Sequence, residues 1–248
     1  MLRIRLVNEL PPNRDPHPHD HNLPNRLNTT NFHTHGLHVS PDGIADNVLR
    51  EMEPGQTYEI EVPIPASHPP GTYWYHPHRH GSANVQVASG MAGALILEGD
   101  FANVPQIAGA RERVLILQQL AFDALRHGRE LRHGLADAGR AACSRSTGSC
   151  GRPSPCGPAK SQRWRVIHAG FHDSTPIGLD SHDASRDRRR RDRACPRVRT
   201  QDSILVVPGQ RTDVLVQAGA PGTYALRSLP FDQGEGAQPD LGAGSTSS

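Results

Sequence analysis

No run of apolar residues in this sequence approaches the roughly 20 needed to cross a bilayer as a helix. The opening segment, Met1-Leu2-Arg3-Ile4-Arg5-Leu6-Val7, alternates polar and apolar residues. That is the pattern of a strand and not of the apolar stretch of an export signal, so these residues predict neither a membrane span nor a leader. Lysine is nearly absent, with Lys160 alone against 26 arginines, and the net charge is only +2. So small an excess argues against nucleic acid or an anionic membrane as partner. The four cysteines (Cys143, Cys150, Cys156 and Cys195) show no Cys-x-x-Cys spacing, and none adjoins a histidine. In 248 residues they are too sparse for a disulfide framework. Long amphipathic helix patterns are missing as well.

What the sequence does contain is short β-type segments. Residues 2–7, 57–62, 71–75, 92–98, 114–118, 163–168, 203–207 and 212–217 are rich in Val, Ile, Leu or Tyr and are separated by Gly/Pro turns. An all-β fold of sandwich or barrel type follows. Pro54-Gly55-Gln56 leads through a strand to Gly71-Thr72-Tyr73, and Pro208-Gly209-Gln210 leads through another to Gly222-Thr223-Tyr224. Matching blocks in matching order predict two copies of one β domain, here assigned to residues 1–105 and 112–235, with a disordered tail at 236–248. Only the first copy continues into potential ligands, Trp74-Tyr75-His76-Pro77-His78.

The stretch from Arg126 to Arg199 holds 16 of the arginines and all the cysteines. With Lys160 its single lysine and no aromatics interleaving the run Arg188-Arg189-Arg190-Arg191, it reads as an irregular loop and not as a nucleic-acid arm. Patterned sequence resumes at Gln162–His168 and again at Val198. The patches 127–161 and 181–196 are therefore expected to be disordered or translated out of frame, disrupting the second domain.

Histidine is the informative residue. Ten of the 15 lie at or before His80. On a strand, residues i and i+2 point to one side, so His33 and His35 should present two imidazoles to one face, and His76 and His78 two more. A site of imidazoles alone suits copper or catalytic zinc better than magnesium or calcium. Trp74 and Tyr75 supply bulk that could exclude water and fix these ligands. Gly36 and Gly81 could allow close approach of backbone or metal, and Pro77 should end its strand. The remaining histidines read more plainly. His17, His19 and His21 fall in a polar loop, His38 lies on the wrong strand face, His68 is a turn residue, and His80 has a surface or supporting role.

Asn31-Phe32-His33-Thr34-His35-Gly36, Gly71-Thr72-Tyr73-Trp74-Tyr75-His76-Pro77-His78 and Ser89-Gly90-Met91-Ala92-Gly93-Ala94 resemble the first cupredoxin domain of multicopper oxidases, the laccase family. Residues 162–170 and 198–229 resemble the second. The resemblance implies two tandem cupredoxin-like Greek-key domains. It further implies that His33 holds a type 2 copper, that His35 and His76 hold one type 3 copper, and that His78 holds the other. Asp46 matches an aspartate that helps deliver protons to dioxygen.

The family takes four further cluster histidines and its type 1 copper from a later domain with a His-Cys-His segment, which this sequence lacks. The expectation is thus half of a trinuclear copper site, in a chain resembling an internal fragment. Dioxygen and a reducing substrate would be its partners once the site is completed, by a further domain or by a partner chain. A copper-binding or structural protein without turnover is the alternative. Periplasmic or extracellular location follows from the family only.

Overall fold

The computed structural model describes residues 1–14, 24–99, 104–122, 141–146, 161–182, 184–188 and 197–233. These fall into two compact units, one within Met1–Leu97 and one within Glu98–Phe122 and Gly139–Ser248. The only helices among the described residues have six and four residues, so the all-β expectation holds. The tail from 234 onward, and His17, His19 and His21, lie outside the described residues.

The first unit contains β1 (Leu2–Val7), β2 (His33–His35), β3 (Thr57–Val62), β4 (Gly71–His76), α1 (Ala83–Ala88) and β5 (Gly93–Leu97). β1 and β3 pair antiparallel with Leu2 opposite Val62 and Ile4 opposite Ile60. Alternation then puts Leu2, Ile4, Leu6, Ile60 and Val62 on one face, packed around Phe32. Arg3 and Arg5 stand on the other face, paired with Glu61 and Glu59 at 3.1 and 3.6 Å. These exposed pairs contribute at most about 1 kcal/mol each, so burial of the apolar face holds the ribbon. A separate sheet, in the order β2-β4-β5, carries the histidines.

The second unit contains α2 (Pro105–Ala108), β6 (Arg111–Phe122), β7 (Ala141–Ser146), β8 (Ser161–His168), β9 (Thr175–Leu179), β10 (Ala184–Arg188), β11 (Arg197–Gln201), β12 (Ser203–Val206), β13 (Arg211–Gln217) and β14 (Leu226–Ser228). Six strands form one sheet, β11-β10-β13-β8-β6-β7, and three form another, β12-β9-β14. Leu117, Val166, Val214 and Val216 of the first meet Ile177, Ile204 and Val206 of the second in the unit's core. Two strands fall within the patches that the sequence marks as irregular. β7 lies inside the patch 127–161 and β10 inside 181–196, both expected to be irregular. β7 pairs with the far end of β6, and β10 with β13 and β11. Backbone ladders need no side-chain periodicity, which is why the sequence pattern did not reveal them. The rest of both patches falls mostly outside the described residues.

The duplicated sequence blocks are duplicated in structure. Gly55 and Gly209 take φ of +84° and +77°, a conformation that favours glycine. Each donates its N–H to the carbonyl of the residue that the following Gln holds in turn, Asn8 in one unit and His168 in the other. Gln56 Oε1 accepts from Glu53 N–H at 2.8 Å, and Gln210 Oε1 from Val207 N–H at 3.0 Å. Tyr73 and Tyr224 each donate their hydroxyl to the carbonyl four residues back, at 2.9 and 2.8 Å, in the manner of the tyrosine corner of β-sandwiches. The copies then diverge. Gly71 opens β4 directly, whereas after Gly222-Thr223-Tyr224 the short β14 begins only at Leu226.

His168 is fully buried. Its Nδ1 accepts from Gly170 N–H, so Nε2 carries the proton and faces Thr175 Oγ1 at 3.1 Å. Burial holds its pKa below the ordinary 6.5. The unfolded chain therefore binds a proton near pH 6.5 that the folded unit refuses. Stability should be at its full value above that pH. As pH drops below 6.5 it should fall, by up to about 1.4 kcal/mol per pH unit, until the folded pKa is reached. Urea unfolding at pH 7.5 and 5.5 should show this loss in the parent chain and a smaller one in His168→Gln.

Candidate metal centre

Two chain segments meet at the histidines. β2 and β4 pair antiparallel with His33 opposite His76, Thr34 opposite Tyr75, and His35 opposite Trp74. This register puts His33, His35, Trp74 and His76 on one face. Thr34, only 1% exposed, points to the other. Pro77 follows the last residue of β4, as its missing N–H requires. Gly36 turns the chain away after His35 with φ +92°, a backbone conformation that favours glycine.

Ligand atoms of His33, His35 and His76 all lie within 4.8 Å of one another. The tightest approach is His35 Nδ1 to His76 Nε2, 3.2 Å. His78, beyond the strand and exposed, brings its ring to 5.0 Å from that of His33 and 5.8 Å from that of His76, centroid to centroid. Three of the predicted imidazoles thus bring their ligand atoms together, and the His78 ring lies beside those of His33 and His76.

The surroundings fix the rings. His33 Nδ1 lies 3.1 Å from Asp46 Oδ1, which also accepts Thr34 N–H at 2.8 Å, while Asp46 Oδ2 accepts the Thr34 hydroxyl at 2.9 Å. His76 Nδ1 lies 2.8 Å from the Pro77 carbonyl. Both Nδ1 atoms thus face an acceptor, which leaves Nε2 with a lone pair on each ring. Burial pushes the pKa of His76 down to about 4, with the nearby His33 and His78 adding to the effect and the Pro77 carbonyl opposing it. The ring is neutral at pH 7. Burial acts to raise the pKa of Asp46, but hydrogen bonds from His33 and Thr34 outweigh it and hold the carboxylate below its usual range.

Trp74 lies flat against two of the rings, 4.7 Å from His35 and 4.2 Å from His76 between centroids. Tyr75 does not share this role. The register turns it to the opposite face, where it stacks on Phe32 at 5.6 Å and is 41% exposed. Gly93 lies opposite it, and a Cβ there would fall 2.3 Å from the Tyr75 ring. Gly81 likewise packs against protein and not against the site. A Cβ would fall 2.5 Å from Asn25 Nδ2, and φ is +98°. Arg79, 5% exposed between His78 and His80, donates to Asn25 Oδ1 at 2.9 Å and pairs with Glu51 at 3.2 Å. Its neighbours His78 and His80 are both exposed. His38 N–H donates to His68 Nε2 at the surface, and His68 sits in a turn closed on Pro65.

Sequence reasoning missed three supporting side chains. Asn31 accepts the His78 N–H at 2.6 Å. Gln86 of α1 donates to the Leu27 and Thr29 carbonyls at 2.8 and 2.9 Å. Ser82 donates to the Thr29 carbonyl at 2.7 Å. All depend on contacts across 47 to 59 residues, which no local pattern encodes.

Sequence profiles of the multicopper oxidase family match residues 21–101 and 137–247. A multicopper oxidase from Staphylococcus aureus is 32% identical over 125 residues, 49% of this chain and 23% of that protein. Among solved structures, a blue copper oxidase from Nitrosomonas europaea superposes with TM-score 0.64 at 21% identity, over 91% of this chain and 65% of the other. A laccase from Pediococcus acidilactici superposes with TM-score 0.65 at 19% identity, over 93% of this chain and 47% of the other. The chain spans about a quarter of the length of the curated relative and up to two-thirds of these solved structures. Two cupredoxin-type β units, a convergent set of imidazoles, and two matched profiles that together span most of the sequence give one answer: the chain belongs to the multicopper oxidase family.

Proposed function

We propose that His33, His35, His76 and His78 form one wall of a type 2/type 3 copper cluster, at which dioxygen is reduced at the expense of a one-electron donor. The observation that carries this reading is the 3.2 Å approach of His35 Nδ1 to His76 Nε2. Two nitrogens that share a metal through bonds of about 2 Å stand about 2.8–3.4 Å apart. The donor set fits copper: it is all imidazole, and the nearest carboxylate, Asp46, spends both oxygens on His33 and Thr34. His35 and His76 would hold one type 3 copper, His78 the other, and His33 the type 2 copper. Bound copper would supply the one-electron steps and the binding of dioxygen.

The protein groups contribute geometry. Trp74 braces two rings and excludes water from one side. Pro77 and Asp46 set which nitrogen of His76 and His33 is free. The resemblance gives Asp46 a part in proton delivery; its contacts support orientation of His33 as its first task. Residues 1–105 and 112–235 would be the two cupredoxin domains. Four imidazoles are too few for three coppers, so this reading requires ligands from a further domain or a partner chain.

The test is a copper(II) titration of the full chain against a competing chelator, with oxygen uptake followed in parallel. Weak copper binding that disappears in His35→Ala is expected. No oxygen uptake by the chain alone is expected, because the sequence offers no His-Cys-His segment to pass electrons. Copper binding unchanged in His35→Ala would sink the proposal.

A further inference from the structure

We infer that Asn31 is the positioning residue that holds His78, and through it the second His-x-His pair, against the first; this rests on the copper reading above. The β2–β4 ladder ends at His76, so it cannot place His78, two residues further on. Instead His78 N–H donates to Asn31 Oδ1 at 2.6 Å, while Asn31 Nδ2 donates to the Val48 carbonyl at 2.6 Å. Asn31 is 5% exposed and precedes His33 by two residues. The loop that anchors it is also the loop that orients His33. Asp46 receives His33 Nδ1, Thr34 N and Thr34 Oγ1, and Val48, two residues on, receives Asn31. One short segment, 46–48, thus ties both pairs together.

The residue type is specific. The position faces one backbone donor and one backbone acceptor, and a short carboxamide satisfies both. Aspartate would keep the acceptor for His78 but set an oxygen against the Val48 carbonyl. Leucine would leave both backbone groups unpaired. Glutamine has the right chemistry with one methylene too many.

The first test needs no metal. In the full chain, nuclear Overhauser contacts between the His33 and His78 rings, 5.0 Å apart, should vanish in Asn31→Leu. Those between His33 and His76, 5.2 Å apart and held by the ladder, should persist. Loss of both sets, or of neither, overturns the inference. Should Asn31→Leu fail to fold, Asn31→Ala, which removes both side-chain hydrogen bonds without adding bulk, is read in the same way. The second test is a double-mutant cycle with copper(II) as probe. Asn31→Leu should lower affinity about 10- to 100-fold in the parent chain, but by less than about twofold in a His78→Ala background. An equal loss in both backgrounds would mark a merely structural role and overturn the inference. A parent chain that binds no copper would defeat the copper reading, and the metal-free contacts would then decide the role of Asn31 by themselves.

Discussion

Replacing His76 with alanine should lower the chain's copper affinity by more than about 100-fold while leaving its strands intact. The ring stands at the centre of the cluster. It is stacked on Trp74, lies 3.2 Å from His35 through Nε2, and is within 6 Å of the His33 and His78 rings. Removing the hydrogen-bond partner of a metal-bound histidine already costs about 10- to 100-fold in affinity, so removing the ligand should cost more. The fold should survive because His76 is the last residue of β4, and Trp74, Tyr73 and Thr72 carry the buried part of that strand. His80→Ala and His38→Ala serve as controls, since both side chains are exposed and neither belongs to the cluster. Chelator competition with far-UV circular dichroism checks all three variants. Equal affinity in His76→Ala and the controls would contradict the assignment.

The largest effect on stability is expected in the second unit, from Asp213→Ala. Arg163 and Arg165 stand two apart on β8, each 3% exposed, between Glu112 on β6 and Asp213 on β13. Arg165 grips Glu112 with Nε at 3.0 Å and Nη2 at 2.7 Å. Arg163 reaches Glu112 at 3.0 Å and holds Asp213 through Nε at 3.1 Å and through a second contact from Nη2. Two guanidinium groups thus meet two carboxylates. The hydrogen bond from Arg165, with burial opposing it and the charges of both arginines assisting, keeps Glu112 below its usual pKa. Deleting Asp213 takes a carboxylate from two nearly buried guanidinium groups that also share Glu112, itself 46% exposed. Breaking a buried pair costs about 3–5 kcal/mol; with Glu112 retained, about 2–4 kcal/mol is expected here. Urea unfolding should report it as a lower midpoint at unchanged slope. The variant Arg163→Met/Arg165→Leu/Asp213→Val should recover much of the loss, because it removes both buried guanidinium groups together with Asp213 and leaves only the 46%-exposed Glu112 carboxylate, which water can solvate.

How much was legible in the sequence varied with how local the cause was. β1 and β3 were read to the residue, because apolar alternation on a ribbon with one buried face leaves one register open. β9 was missed: Thr175-Pro176-Ile177-Gly178-Leu179 carries a proline and a glycine that read as turn, yet the strand is held by β12 and β14 on its two sides. The histidine pairs were legible because side-chain alternation has a period of two. That His33 would face His76 was not, since register is a property of two strands and a single sequence states it nowhere. The same limit separated Trp74 from its neighbour Tyr75: one braces the rings and the other stacks on Phe32, although both had been assigned to the site. Asn31, Gln86 and Arg79 look like ordinary loop or helix polar residues until distant segments fold onto them.

The central claim is that imidazoles from two paired strands share copper. Diffraction from copper-loaded crystals of the chain, measured on both sides of the copper absorption edge, tests it most directly. The account predicts an anomalous peak within about 2 Å of His35 Nδ1 and of His76 Nε2, weakened in crystals of His76→Ala. A peak seated on His38 and His68 instead, or none in fully loaded crystals, would contradict it.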